Sequence, residues 1–146
     1  MITMKIIREN RRVRFDYTVL DTYTAGIILK GPEVKEIKAG KIDISRSYCR
    51  MKPDGLYLWN ALISSSVYGD IDDDREKKLL LHKKELTLLT RGLEQKGQTA
   101  VPLSVGLERG LIKIRLALVK GKRLYDKRQT EKKRDTDRML RQLRQK

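Results

Sequence analysis

The chain has 146 residues, 34 of them Lys or Arg and 19 Asp or Glu, for a net charge of +15. A polyanion is the expected partner, nucleic acid ahead of a membrane surface. No run of about 18 apolar residues is present to span a bilayer, the opening MITMKIIRENRRVRF has no secretory h-region, and the lone Cys49 can form no internal disulfide, which fits a reducing cytosol.

A soluble, cytoplasmic, non-enzymatic protein is therefore expected, with no cofactor, no metal and no membrane partner. One histidine builds neither a two-His metal site nor a Ser/His/Asp system with a spare base. Neither GxGxxG nor GxxxxGK[ST] occurs.

In chain order, DYTVLDTYTAGIIL (16–29) is β-branched and aromatic. Its alternation changes phase near Asp21–Thr22, with Gly26 close behind, which predicts a long bent or bulged strand. GPEVKEIKAG (31–40) predicts a short helix, with proline in the first turn, Val34 and Ile37 on one face and Gly40 as a left-handed cap. RSYCRMKPDGLYLWNALI (46–63) predicts a hairpin turning at Pro53-Asp54-Gly55. DIDDDREKKLLL (70–81) starts like a calcium loop, but Arg75 stands where glycine is needed and Leu81 where the bidentate glutamate belongs, so a solvated acidic loop is expected.

KLLLHKKELTLLTRGLEQKG (78–97) predicts a strand end running into a helix with a Leu86, Leu89, Leu93 stripe, closed by Lys96–Gly97. In AVPLSVGLERGLIKIRLALV, Val101, Leu103, Val105 and Leu107 are expected to alternate inward, as are Ile112, Ile114, Leu116 and Leu118, around a turn at Glu108-Arg109-Gly110. Six or so short strands with helices in two connections predict a mainly β fold, an OB-like closed barrel with two or three short accessory helices. Tyr57 and Trp59 are readable either as base-stacking platforms or as barrel core. Cys49 is expected to be a small buried strand residue, and His82 to have a capping or packing role.

The division predicted is a barrel over 1–120 and a basic tail over 121–146. The tail, GKRLYDKRQTEKKRDTDRMLRQLRQK, has eleven Lys or Arg against four Asp or Glu and five apolar residues. Glu131 and Arg134, Asp135 and Arg138, and Asp137 and Arg141 have helical spacing, and Met139/Leu143 form a thin stripe. With so little apolar face to dock, the free tail is expected to be disordered and to fold on a partner. A merely solvated charge run is the bland alternative.

From about Asn10 onward the chain strongly resembles the SsrA-binding protein (small protein B) family. The landmarks are NRRVRFDY (10–17), AGIILKGPEVKEIKAGK (25–41), KLLLHKKEL (78–86) and LVKGKRLYDKRQTEKKRD (118–135). The resemblance implies an OB-type barrel that grips the tRNA-like domain of transfer-messenger RNA. It implies RNA contacts from Asn10, Arg11, Arg12, Leu80 and His82, and from Thr24, which stands where the family has a glutamate and whose hydroxyl can accept one hydrogen bond. The loop before KLLLH is shorter than the family's His-Asp-Pro stretch, leaving Arg75, Lys77 and Lys78 for phosphate contacts there.

The resemblance further implies that the tail enters the empty messenger channel of a stalled ribosome as a helix, beside small-subunit ribosomal RNA. Gly121, Lys122, Arg123, Tyr125, Asp126, Lys127 and Arg128 would then meet the decoding site, Tyr125 standing where the family has histidine. A monomer that joins elongation factor Tu on the same RNA and delivers it for peptide tagging is the implied role. The rival is a structural ribosomal protein with a basic extension into ribosomal RNA.

Overall fold

The computed structural model describes residues 4–65, 71–73 and 75–121. The tail residues 122–146, and Asp70 and Asp74 of the acidic loop, lie outside the described residues. The order is β1 (Lys5–Glu9), α1 (Val13–Asp16), β2 (Tyr17–Ile27), α2 (Gly31–Lys38), β3 (Ile42–Asp43), β4 (Tyr48–Lys52), β5 (Gly55–Trp59), β6 (Leu62–Ser65), β7 (Ile71–Asp73), β8 (Lys77–Leu80), α3 (Lys83–Leu93), β9 (Gln98–Glu108) and β10 (Leu111–Gly121). The fold is mainly β. More strands are present than the sequence pattern suggested, because β1, β3 and β7 are too short or too polar to signal themselves.

Seven strands form one sheet in the order β1-β9-β10-β2-β8-β5-β4, and β9 also pairs with β4, through Cys49 and Ala100. The pairings therefore return on themselves from β9 round to β4. A second sheet, β3-β6-β7, continues from β5 after the left-handed Asn60 (φ 57°).

The predicted bulge in β2 is present. Leu118 opposes Asp21 but Val119 opposes Val19, so Leu20 is the extra residue. Downstream of it Tyr23 and Ala25 face the core while Thr22 and Thr24 face out. The last hairpin turns tightly at Arg109–Gly110, with Glu108 paired to Leu111. Both turn residues have positive φ, 52° and 78°, the backbone that matches strand twist and that glycine adopts freely.

One expectation for this hairpin is corrected. Val105, Leu107, Ile112, Ile114, Leu116 and Leu118 belong to the main core, but Val101 and Leu103 do not. Leu116 opposes Pro102 and Arg115 opposes Ser104, so Leu103 is a bulge residue that shifts the phase of β9. Val101 instead packs outside with Val13, Ala117 and Val119, under α1.

Two helices cover the core. Ile37 of α2 and Leu89 of α3 are fully buried, with Val34, Leu86 and Leu93 partly so. The C-terminal end of α2 is held by Arg8, whose Nε donates to the Gly40 carbonyl at 2.8 Å, a cation on the negative end of the dipole. Helix α3 lies close on β10 because Gly92 has no side chain: a Cβ there would stand 2.4 Å from Leu118 Cδ2.

Candidate nucleic-acid interface

Strand parity builds an outward wall. Across β8, β2 and β10, Leu80 opposes Gly26, which opposes Lys113. One row further along, Thr24 opposes Arg115, which opposes Ser104. All of these positions alternate with core residues (Ala25, Ile112, Ile114, Val105), so they point away from the core. Gly26 leaves a floor between two of them: a Cβ there would meet Leu80 Cβ at 3.5 Å and Lys113 Nζ at 3.8 Å.

The other end of this wall is a groove lined by Arg11, Arg14, Thr22, Ser104 and Arg115, with Glu9 and Asn10 at its edge. Between Thr22 and Gly26 the strand rises about 13 Å, so the two ends form one continuous surface. Arg11 is wide open, 90% of its side chain exposed beside Glu9 at 3.8 Å; Arg12 stands 3.9 Å from Asp16 at 77% exposure. Lys113 and Arg115 have no ion pair among the described residues. Exposed guanidinium forks, an ammonium and the Thr22 and Thr24 hydroxyls suit a run of phosphates and riboses, and Leu80, half exposed, offers an apolar contact to a base or sugar.

The residues expected at an RNA contact are thus placed as follows. Arg11, Thr24 and Leu80 share this wall. Arg12 turns into a neighbouring cleft with Ser45, Arg46 and Tyr48. Asn10 anchors the chain between β9 and the loop after β3: its N–H donates to the Leu103 carbonyl at 2.7 Å and its Nδ2 to the Ile44 carbonyl at 3.2 Å. His82 is exposed at the N-cap of α3, two residues beyond Leu80, and makes no side-chain cap hydrogen bond. Its carbonyl accepts the Leu86 N–H instead. Gly121 ends β10 opposite Tyr17. Lys122, Arg123, Tyr125, Asp126, Lys127 and Arg128 lie outside the described residues.

The phosphate role expected of Lys77 is corrected. Lys77 is completely buried, opposite Leu58 on the inner side of β8. Its Nζ lies 3.8 Å from Glu33 Oε2 and donates to the Arg75 carbonyl; the Arg75 guanidinium donates to Glu33 Oε1. Glu33, itself 2% exposed, also accepts the Lys30 N–H at 2.7 Å and so caps α2. These two cations neutralise a buried carboxylate. Lys78, on the outer side opposite Tyr57, stands 4.0 Å from Asp54.

Tyr57 and Trp59 are on the outer face, not in the core: Leu56 and Leu58 take the inner positions of β5. Cys49 is buried as expected, and burial pushes its thiol well above the ordinary range. Sequence reasoning missed Arg14, Lys113 and Arg115. For the last two the signal was present, since residues between inward Ile112, Ile114 and Leu116 must face out.

Taken together these features define a small, basic, mainly β domain with an anion-receptive outer wall. The family model described as SmpB protein matches residues 7–146, and the chain belongs to that family. It is 46% identical to an SsrA-binding protein of Thermus thermophilus over 96% of this chain and 100% of that one. An SsrA-binding protein of Agrobacterium fabrum is 42% identical over 97% of this chain and 91% of its own. A solved chain from a structure described as "tmRNA-SmpB: a journey to the center of the bacterial ribosome" is 48% identical. It superposes with a TM-score of 0.66 and covers 80% of this chain and 85% of its own.

Proposed function

We propose that this protein binds the tRNA-like domain of transfer-messenger RNA and carries that RNA to stalled ribosomes for trans-translation. The observation that carries the reading is the outer wall, on which Arg11, Arg14, Lys113 and Arg115 converge with Thr24 and Leu80. Membership of the SmpB family and the names of its relatives support the choice of RNA. The ring of strand pairings, with α2 and α3 packed onto its core, is read as an OB-like barrel, an architecture suited to unpaired and loop nucleotides.

In this reading the protein is a cytoplasmic adaptor without catalysis. Asn10 fixes the loop that presents Arg11 and Arg12, the wall's cations and hydroxyls hold phosphates and riboses, and His82 stacks on or donates to an unpaired base. Elongation factor Tu joins the same RNA. The tail from Gly121 occupies the decoding site and the empty messenger channel beside small-subunit RNA, its Lys122, Arg123, Lys127 and Arg128 contacting phosphates, Tyr125 stacking and Asp126 stabilising the first helical turn.

The test pairs filter binding of the tRNA-like domain with a reconstituted peptide-tagging assay. Alanine at Asp126, Lys127 and Arg128 together should leave RNA affinity within about twofold and abolish tagging. Tagging at the parental rate would reject the tail's role. Recovery of ribosomal RNA alone with the native protein, at one copy per ribosome, would favour a structural ribosomal protein instead.

A further inference from the structure

We propose that the cleft beside the end of β10 is a docking site for the chain's own Leu124, Tyr125 and Asp126, the first apolar and acidic residues after that strand. The docking itself does not rest on the transfer-messenger RNA reading. The cleft has a volume of about 300 Å³, at the low end of the range typical of ligand pockets, about 300–1,000 Å³. Buried Val13 and Val101 and half-buried Tyr17 and Tyr48 line it, with Arg12 and Arg46 exposed at its rim.

The chain leaves the barrel next to this cleft. Gly121, the last residue of β10, opposes Tyr17, and two residues earlier Val119 opposes Thr99, another lining residue. Ala117 and Val119 pack with Val13 and Val101 in the outer cluster, so Gly121, at the same strand parity, lies on that face. A Cβ on Gly121 would meet nothing within 4 Å among the described residues, which leaves the chain room to turn onto the cleft. Leu124 follows three residues later, a reach of about 10 Å.

Composition selects the occupant. Over residues 122–136 Leu124 and Tyr125 are the only apolar residues, so no other part of that stretch suits an apolar floor. Asp126 follows directly, and Arg46 at the rim makes no ion pair among the described residues, so a carboxylate and a cation are matched. Two residues separate Gly121 from Leu124. Closing so short a loop costs little, and tethering gives the segment an effective concentration that a free partner does not reach. Docked side chains are withheld from any other partner of the tail, which has to displace them first. In the reading proposed above that partner is the decoding site, and the cleft holds Tyr125 and Asp126 back until ribosomal RNA competes for them.

Thiol accessibility tests the docking in the full-length chain without ribosomes, so its failure is distinct from a failure of tagging. Leu124→Cys and Thr130→Cys are compared for their rate of reaction with a polar maleimide, against which buried Cys49 is a slow background. Leu124→Cys should react about tenfold more slowly than Thr130→Cys in buffer and equally fast in urea. In methyl NMR spectra, Leu124→Ser/Tyr125→Ser should shift Val13 and Val101 and leave Ile63 of the main core in place. Equal rates in buffer, or unmoved Val13 and Val101 methyls, would overturn the proposal. Protection that grows with protein concentration would assign the cleft to the tail of a second copy. Cleft methyls that respond to oligouridine and not to the tail substitutions would assign it to RNA. Either result overturns docking within one chain.

Discussion

Two of the cation pairs spaced two residues apart are treated in opposite ways by the fold. Arg75, just before β8, and Lys77, its first residue, both pair with Glu33 of α2. Lys113 and Arg115, in β10, face solvent on the outer wall without an ion pair among the described residues. Residue type does not separate them; parity and the carboxylate beneath do. Lys77 opposes Leu58, an inner position, whereas Lys113 opposes Gly26, an outer one. A net charge of +15 therefore overstates what is offered to RNA, and only the outward cations can release counterions on binding.

The sharpest way to break the comparison is at Glu33. Glu33→Gln removes the charge that compensates a fully buried ammonium, and breaking a buried pair on one side costs about 3–5 kcal/mol. Urea denaturation should show a loss of this size. Adding Lys77→Met should recover much of it, because the stem can stay while the unpaired charge goes. If Glu33→Gln alone is neutral, the buried Lys77 is not held by this carboxylate.

On the outer wall the effects belong to binding and not to folding. His82→Ala should weaken RNA affinity by about 1–3 kcal/mol, the range for a lost stacking contact, with the melting temperature unchanged. Unchanged affinity with a lowered melting temperature would make the residue structural. Lys113→Ala/Arg115→Ala should cost about tenfold, close to 1.4 kcal/mol. It should also flatten the dependence of log affinity on log salt by about 0.7 per lost phosphate contact. Lys77→Met should leave that slope alone, and an equal change in both variants would erase the distinction drawn here.

What the sequence disclosed follows the strength of its periodicities. The β2 bulge, the α2 and α3 stripes and both hairpins were legible because apolar spacing and turn residues coincide there. The flip of Val101 and Leu103 was not, since a bulge inside an apolar run leaves no polar residue to mark the change of phase. Burial of Lys77 was hidden for a related reason: its partner Glu33 is 44 positions away, and only the pairing of β8 beside β5 brings α2 over it. Of the wall, Arg11, Thr24 and Leu80 came from family motifs, while Lys113 and Arg115 were readable from alternation alone.

The smallest expected effect is at a second carboxylate that accepts a main-chain N–H, Asp43, which is exposed where Glu33 is buried. Its Oδ1 accepts from the Ser45 hydroxyl at 2.6 Å and the Ser45 N–H at 2.8 Å, shaping the loop that leads to Arg46. The Ser45 hydroxyl first, then its N–H, holds the Asp43 carboxyl below its ordinary 3.8, against a weak opposing effect of partial burial. Because the folded value is the lower one, the unfolded chain takes up the proton first as pH falls. The stabilisation is thus complete above about pH 4 and disappears as pH drops through the folded value. Solvent screening limits it to about 0.5 kcal/mol or less. Asp43→Asn should melt slightly below the parent at pH 7, and the gap should shrink as pH falls below 3.8. A gap of the same size on both sides of that value would mean that Ser45 is held by something other than the Asp43 charge.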